Sequence, residues 1–286
     1  MVRLTREVRF SIDRDWAGHV ELSQPITNSW GGWPSAVGIV PYLRLRATVA
    51  GEPNPRTGYL LNIRNIDDLL RRHAIPHTAE QLRRHGWRMP AERLLADVWK
   101  HLQPHMPSHA QLIELELVVT PMAGYRIRRA AAGSGEIHEA KVMMVLTQQF
   151  EFSAAHRLHC ADLTDAENIA TFGKCNNPNG HGHNYVVEVS LAGADRELGG
   201  VVFPMPRFEE IVQKEVIERL DHRHLNLDVP EFHDVNPSVE NIARVIWRML
   251  HNHFAPAQLH RVRVFETQKT WADYAGPDCD IERLHA

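Results

Sequence analysis

His181-Gly182-His183 sets two imidazoles one residue apart at the start of an alternating apolar run, Tyr185, Val187, Val189 and Leu191. Side chains on a β-strand repeat every second residue, so both rings project from one face. Gly182 points the other way and adds no bulk. The two ring nitrogens can therefore converge on one ion where the chain leaves the turn Pro178-Asn179-Gly180. A third imidazole, His156, ends the run Phe152-Ser153-Ala154-Ala155-His156 on the preceding predicted strand, within reach if the two strands pair. Three neutral imidazoles bind zinc and leave its fourth position open, as in catalytic rather than purely structural sites. An open zinc polarises a hydroxyl or carbonyl oxygen and makes an adjacent C–H more acidic. Cys175, Asp221, His222 and Glu266 stand outside this ligand set, although Cys175 with two histidines would also suit zinc.

The elements that must carry these residues follow from periodicity. Val142 to Phe152 and Tyr185 to Leu191 have strand alternation. Phe208, Ile211, Val212 and Val216 mark an amphipathic helix. Pro237-Ser238 caps another, with Ile242, Val245, Ile246 and Leu250 at helical spacing. The closing strand, Val262 to Thr267, puts Val262, Val264 and Glu266 on one face.

The small-residue stretch Ala130-Ala131-Ala132-Gly133-Ser134-Gly135 divides the chain into residues 1–129, a linker 130–139 and residues 140–286. Sliding the sequence against itself by 142 positions aligns Phe10-Ser11 with Phe152-Ser153, Ala50-Gly51 with Ala192-Gly193, and Gly58 with Gly200. Both halves have the order strand, longer strand, helical region, strand, which predicts a tandem duplication. Under that shift Arg14 stands opposite His156, Trp33 opposite Cys175, Ile39 opposite His181 and Pro41 opposite His183. None can replace its counterpart as ligand or thiol, so the first half is expected to be a structural or oligomer-building copy.

With 286 residues and 43% apolar side chains, the chain can bury one large core or two modest ones. A net charge of −3 gives no footprint for nucleic acid or an anionic membrane, and Arg126, Arg128 and Arg129 are expected to be solvated surface. No apolar run approaches the roughly 20 residues that span a bilayer. Met1 to Arg6 lead into strand-like sequence rather than a signal peptide, which predicts a cytoplasmic protein. Three cysteines form no disulfide framework, and Cys160 and Cys279 are expected to be incidental thiols. Most of the 19 histidines, among them His159, His224, His233, His251 and His253, are expected to be surface or packing residues.

Five separated motifs in one order carry a resemblance: Phe152 to His159, Gly173 to Tyr185, Leu220-Asp221-His222-Arg223-His224-Leu225-Asn226, Ser238-Val239-Glu240-Asn241 and Phe265-Glu266-Thr267. From Gln149 to about Gly276 the chain resembles the 6-pyruvoyl-tetrahydropterin synthase family. The resemblance implies an α+β tunnelling fold, a four-stranded antiparallel sheet with two helices on one side, here expected twice in tandem. Such units join into a barrel, closing their open strand edges in a homo-oligomer such as a trimer of tandem chains. It implies His156, His181 and His183 as zinc ligands, Cys175 as base or proton donor, and Asp221 and His222 as the rest of a proton relay. Glu266 would anchor the pterin, with Thr267 beside it in the substrate site. The family's active sites lie between subunits.

The implied reaction converts 7,8-dihydroneopterin triphosphate into 6-pyruvoyl-tetrahydropterin and triphosphate, as in tetrahydrobiopterin synthesis. It is lyase chemistry with internal redox, so it needs no nicotinamide or flavin. Lys174, Arg157 and Arg223 are the candidate cations for the triphosphate. Five residues separate Cys175 from His181, which favours this outcome over the 6-carboxy-tetrahydropterin synthase of queuosine synthesis, with its shorter Cys-x-x-x-His-Gly-His. A non-catalytic, zinc-stabilised pterin-binding module is the other alternative. The chain departs from the family after Val202-Phe203: Pro204-Met205-Pro206 replaces the usual Asn or Asp, whereas the first half keeps Asn62. Two prolines without N–H donors are expected to alter that helix entry.

Overall fold

Alternation shapes the first strands: in β1 (Val2–Ser11) and β2 (Tyr42–Gly51), Val8, Phe10, Leu45 and Ala47 are buried while Glu7, Arg9, Arg44 and Arg46 occupy the other face. The computed structural model describes residues 1–12, 41–129, 142–193, 200–277 and 279. The expected linker 130–139, together with Arg14, Trp33 and Ile39, lies outside the described residues. The chain forms two units, Met1–Leu146 with Asp195–Val202, and Thr147–Ala194 with Phe203–Ala286.

In the first unit the helical segment α1 (Ile63–Leu69) starts at Asn62, whose side chain accepts the Arg64 N–H at 3.0 Å. It runs through a π-helical turn, Leu70–Ala74, into α2 (Ile75–His85). Pro76 has no N–H to offer the Arg72 carbonyl, and the preceding turn widens so that the Ile75 N–H reaches Leu70 O. Helix α3 (Ala91–Leu102) packs on β3 (Ala110–Thr120) and β4 (Ala123–Arg129). The strands follow the order β1-β2-β3-β4 with every pair antiparallel.

The polar face of that sheet is a charged ladder. Glu7 accepts from Arg9 and Arg46, each at 2.9 Å, and Glu116 from Arg46 at 2.6 Å and Arg126 at 3.1 Å. Burial alone would raise the Glu7 carboxyl, but the bonds from Arg9 and Arg46 outweigh it and hold the group below its ordinary value. The expectation that Arg126 and Arg129 are solvated surface is therefore corrected. Arg126 is tied into the ladder, and Arg129 donates to Leu112 O and the Gln103 side chain, each at 2.9 Å, beside the Trp99 ring.

In the second unit β5 (Val142–His156), which enters it at Thr147, neighbours β6 (His181–Ala192), and the order continues to β8 (Gln258–Thr267) and β9 (Thr270–Tyr274). The β6–β8 and β8–β9 pairs are antiparallel. Between β5 and β6 lies a helix with no counterpart in the sequence expectation, α4 (Asp165–Phe172), started by a reciprocal Thr164–Glu167 capping box. Helix α5 (Met205–Val212) continues through a π-helical turn, Gln213–Ile217, into α6 (Glu218–Leu220), and buries Phe208, Ile211, Val212 and Val216. Next come the short strand β7 (Arg223–His224), parallel to β5, and the single turn α7 (Leu225–Asp228). Helix α8 (Val239–Leu250) has Ser238 as its N-cap and lies on β8 and β9. The expected α+β class with an antiparallel sheet is what the chain forms.

The entry at Pro204 is altered as expected, but for a different reason. It is the N-cap of α5 and Pro206 falls in the first helical turn, where N–H groups have no intrahelical acceptor. The prolines remove no needed donor, and Phe208 N–H still bonds Pro204 O at 3.0 Å. What is lost is the side-chain cap that Asn62 supplies to α1.

Candidate metal and pterin site

Strand β6 begins at His181, so the His-x-His pair lies inside the strand rather than ahead of it. The turn before it closes with a Gly180 N–H to Asn177 O bond of 2.8 Å and requires Gly180 at φ 71°. A Cβ there would sit 2.7 Å from His224 Nε2 and 2.9 Å from the His156 carbonyl oxygen, so only glycine fits. Below the turn, Tyr185 is fully buried and stacks on Phe152 with ring centroids 5.0 Å apart, fixing β6 against β5 at the level of the histidines.

His156 is completely buried, and its Nδ1 lies 2.7 Å from Pro237 O. A carbonyl can only accept, so Nδ1 carries the proton and Nε2 presents its lone pair. That Nε2 faces His181 Nε2 at 3.1 Å. One ligand nitrogen from each of His156, His181 and His183 falls within 4.8 Å of the others. His181 Nδ1 and His183 Nε2 are buried without a hydrogen-bond partner among the described residues. Burial pushes His156 down to about 4, against the raising effect of Pro237 O, with the neighbouring imidazoles adding to the depression. Burial and then His183 also lower His181, while Glu266 opposes them. The 3.1 Å approach of His156 and His181, close to the roughly 3.3 Å edge of a tetrahedral zinc–imidazole site, with His183 within 4.8 Å and two buried nitrogens lacking partners, fits a metal ion with three histidine ligands.

Glu266 arrives from β8. The β8–β9 register shifts between Phe265 and Thr267, and a bulge of this kind re-aims a side chain. Its Oε1 lies 3.6 Å from both His156 Nε2 and His183 Nε2. Thr267, by contrast, is exposed, and its hydroxyl accepts the Lys269 N–H of the β8–β9 turn at 3.1 Å. Tyr185 lies 3.4 Å from His156 Nδ1 through its hydroxyl. Its ionisation is raised by burial first and then by the Glu266 carboxylate.

Asp221 and His222 sit at the end of α6. Asp221 Oδ1 accepts the Ser153 N–H at 2.8 Å, its Oδ2 lies 2.7 Å from His222 Nδ1, and His222 N–H bonds Ser153 O at 2.6 Å. These three bonds hold His222 at φ 56°, a left-handed conformation costly for a side chain of this size. The Ser153 N–H, then His222, lowers the Asp221 carboxyl. The His222 side chain is 84% exposed. Cys175 makes no side-chain hydrogen bond to this pair among the described residues, so the expected relay is not assembled within the chain. An open cavity of about 600 Å³ is lined by Ser153, His183, Asn184, His222, Arg223 and Asp228.

Of the three candidate cations, Arg223 borders this cavity and Lys174 is exposed, while Arg157 is engaged with Asn176 O and His159 Nδ1 at 3.3 Å. His224, expected to be a surface or packing residue, lines the cavity, and its Nδ1 is buried without a partner among the described residues. Its place two residues after His222 at a β7 position was the available signal.

Residues 145–277 match the family model described as 6-pyruvoyl tetrahydropterin synthase. Over 144 residues the chain is 39% identical to the 6-pyruvoyl tetrahydrobiopterin synthase of Homo sapiens, an alignment covering 50% of this chain and 97% of that protein. The chain belongs to the 6-pyruvoyl tetrahydropterin synthase family. Membership makes it a lyase of this family. The Drosophila melanogaster 6-pyruvoyl tetrahydrobiopterin synthase is 41% identical over 133 residues, covering 46% of this chain and 79% of that protein. The solved structure of the Caenorhabditis elegans 6-pyruvoyl tetrahydropterin synthase is 39% identical, with a TM-score of 0.44, and covers 47% of this chain and 96% of that one. Among the described residues no helix is long and apolar enough to cross a membrane.

Proposed function

We propose that this chain is a zinc-dependent carbon–oxygen lyase that converts 7,8-dihydroneopterin triphosphate into 6-pyruvoyl-tetrahydropterin and triphosphate. The observation that carries the reading is the convergence of His156, His181 and His183 with the Glu266 carboxylate 3.6 Å from two of their nitrogens. Zinc held by the three histidines would supply Lewis acidity towards a substrate hydroxyl. Glu266 is suited to accept two parallel hydrogen bonds from the 2-amino group and ring N–H of a pterin, which fixes the ring beside the histidines. Asp221 holds His222 in the tautomer with the proton on Nδ1, leaving Nε2 as the base-competent nitrogen facing solvent. Cys175 is assigned the remaining proton transfer at the pterin side chain.

The exposure of His222 and its lack of a bond to Cys175 support a relay completed between copies of the chain in a homo-oligomer. The cytoplasm, a reducing compartment, suits the free thiol of Cys175. The first unit is read as a degenerate copy: its strands run in the corresponding order, and Asn62 and Pro204, aligned by the internal repeat, both occupy helix N-caps. Zinc-loaded protein mixed with 7,8-dihydroneopterin triphosphate should yield 6-pyruvoyl-tetrahydropterin by mass spectrometry. Binding without product would overturn the enzyme reading in favour of a pterin-binding module. A 6-carboxy product would move the chain to the queuosine-type reaction.

A further inference from the structure

The first unit carries imidazoles that the proposed reaction does not use. His73 and His77 are four residues apart on the helical segment running from α1 into α2, and His101 and His105 are four apart at the end of α3 and the 3₁₀ turn after it. Spacing of four puts each pair on one side of its helix. The fold then brings the two pairs together. The rings of His73 and His105 stack with centroids 3.7 Å apart, and those of His77 and His101 at 4.1 Å.

One ligand nitrogen from each of His73, His101 and His105 lies within 4.8 Å of the other two. Among the described residues no carboxylate or carbonyl hydrogen-bonds any of the four rings, and His77 Nε2 is buried without a partner. Of these rings only His77 carries a buried nitrogen without a partner, which forfeits its water without compensation. A shared cation would take up the unbonded nitrogens of His73, His101 and His105 together. Tetrahedral zinc–imidazole geometry has nitrogen separations of roughly 3.3 Å, and two stacked rings cannot both hold one ion in their planes, so the exposed His105 would turn out of its stack with His73 to close the set. His105 is exposed, and an adjoining cavity of about 490 Å³, bordered by His77, His101 and Asp97, offers an entry path.

We infer that His73, His101 and His105 form a second metal site, with His77 flanking it, that takes a divalent transition-metal ion of the zinc class. An all-imidazole donor set selects such ions over magnesium or calcium, which prefer oxygen ligands. The ion would join the α1–α2 segment to the end of α3 as a local staple within the first unit.

Metal-stripped full-length protein, loaded with Zn²⁺, gel-filtered and analysed for metal per chain, tests this. Wild type should hold two equivalents, and the double variant His101→Ala/His105→Ala should hold one. His181→Ala/His183→Ala should also hold one, and combining the four substitutions should leave none. The single variant His105→Gln, at an exposed position, guards against misfolding. With unchanged circular dichroism it should weaken the second Zn²⁺ by about tenfold or more, a scale that even outer-shell changes reach. One equivalent in wild type that only the His181/His183 substitutions remove would overturn the second site. One equivalent removed only by the His101/His105 substitutions would uphold it while removing the metal from the proposed lyase centre.

Discussion

Asp221→Asn is the perturbation that separates a relay from a structural contact. Oδ1 accepts the Ser153 N–H at 2.8 Å, so an asparagine there keeps its oxygen in that place and turns its NH₂ towards His222 Nδ1, where Oδ2 stood at 2.7 Å. Two donors then face each other. His222 must either rotate away or move its proton to Nε2, which removes the base-competent lone pair. In stability, a charge-assisted bond of about 1.5–3 kcal/mol becomes at best a neutral one of about 0.5–1.5 kcal/mol, a net loss near 1 kcal/mol. At 2–4 °C per kcal/mol for domains of roughly 150–250 residues, the melting temperature should fall by only a few degrees. Turnover should fall far more, by about 10²–10⁴, the span of general acid–base contributions.

The assay pairs product formation from 7,8-dihydroneopterin triphosphate with thermal melts across pH. The folded-state value of Asp221 is lowered, so its stabilisation is present above the unfolded carboxylate range and is lost as pH falls through the folded value. The melting gap between wild type and variant should therefore be open at neutral pH and close in acid. Turnover within threefold of wild type, with the few-degree melting loss intact, would refute the relay and leave Asp221 a clamp for the left-handed His222 backbone.

Glu266→Gln should retain zinc and lose pterin affinity by roughly 10- to 150-fold, the equivalent of about 1.5–3 kcal/mol. Loss of the metal in dialysis would instead make Glu266 a ligand, as its 3.6 Å approach to two ring nitrogens allows. Cys175→Ala should keep its metal while turnover drops about 10²–10⁴-fold, and metal loss would restore the thiol to the ligand set. Gly180→Ala should destabilise the second unit by at least about 1–2 kcal/mol for the left-handed residue alone. Its Cβ also meets the His156 carbonyl at 2.9 Å, so zinc affinity should fall with it, and an unchanged melt would contradict the tightness of that turn.

Much of the second unit was legible because its signals are local. A two-residue repeat announces a strand face, and His181, His183, Tyr185 and Val187 share one such repeat. Helix spacing and Ser238 announced α8 in the same way. The neighbourhood of Arg129 was misread because a charged residue at a strand end gives no sign that its guanidinium will lie over Trp99. Pro204 was read as a helix-entry position, which it is, but the entry changes through a lost side-chain cap rather than a missing donor.

The sequence by itself determined the residue types, the strand and helix faces that present them, and the family pattern that named the second-unit set. Only the tertiary structure decided which faces meet. It brought Glu266 to the histidines through the β8 bulge and set His224 behind Gly180. It left Cys175 unbonded to Asp221 and His222, and it gathered His73, His101 and His105 from two helices. Those outcomes depend on register and packing between segments tens of residues apart, where no periodicity connects the partners and only the burial of a shared core fixes their distance.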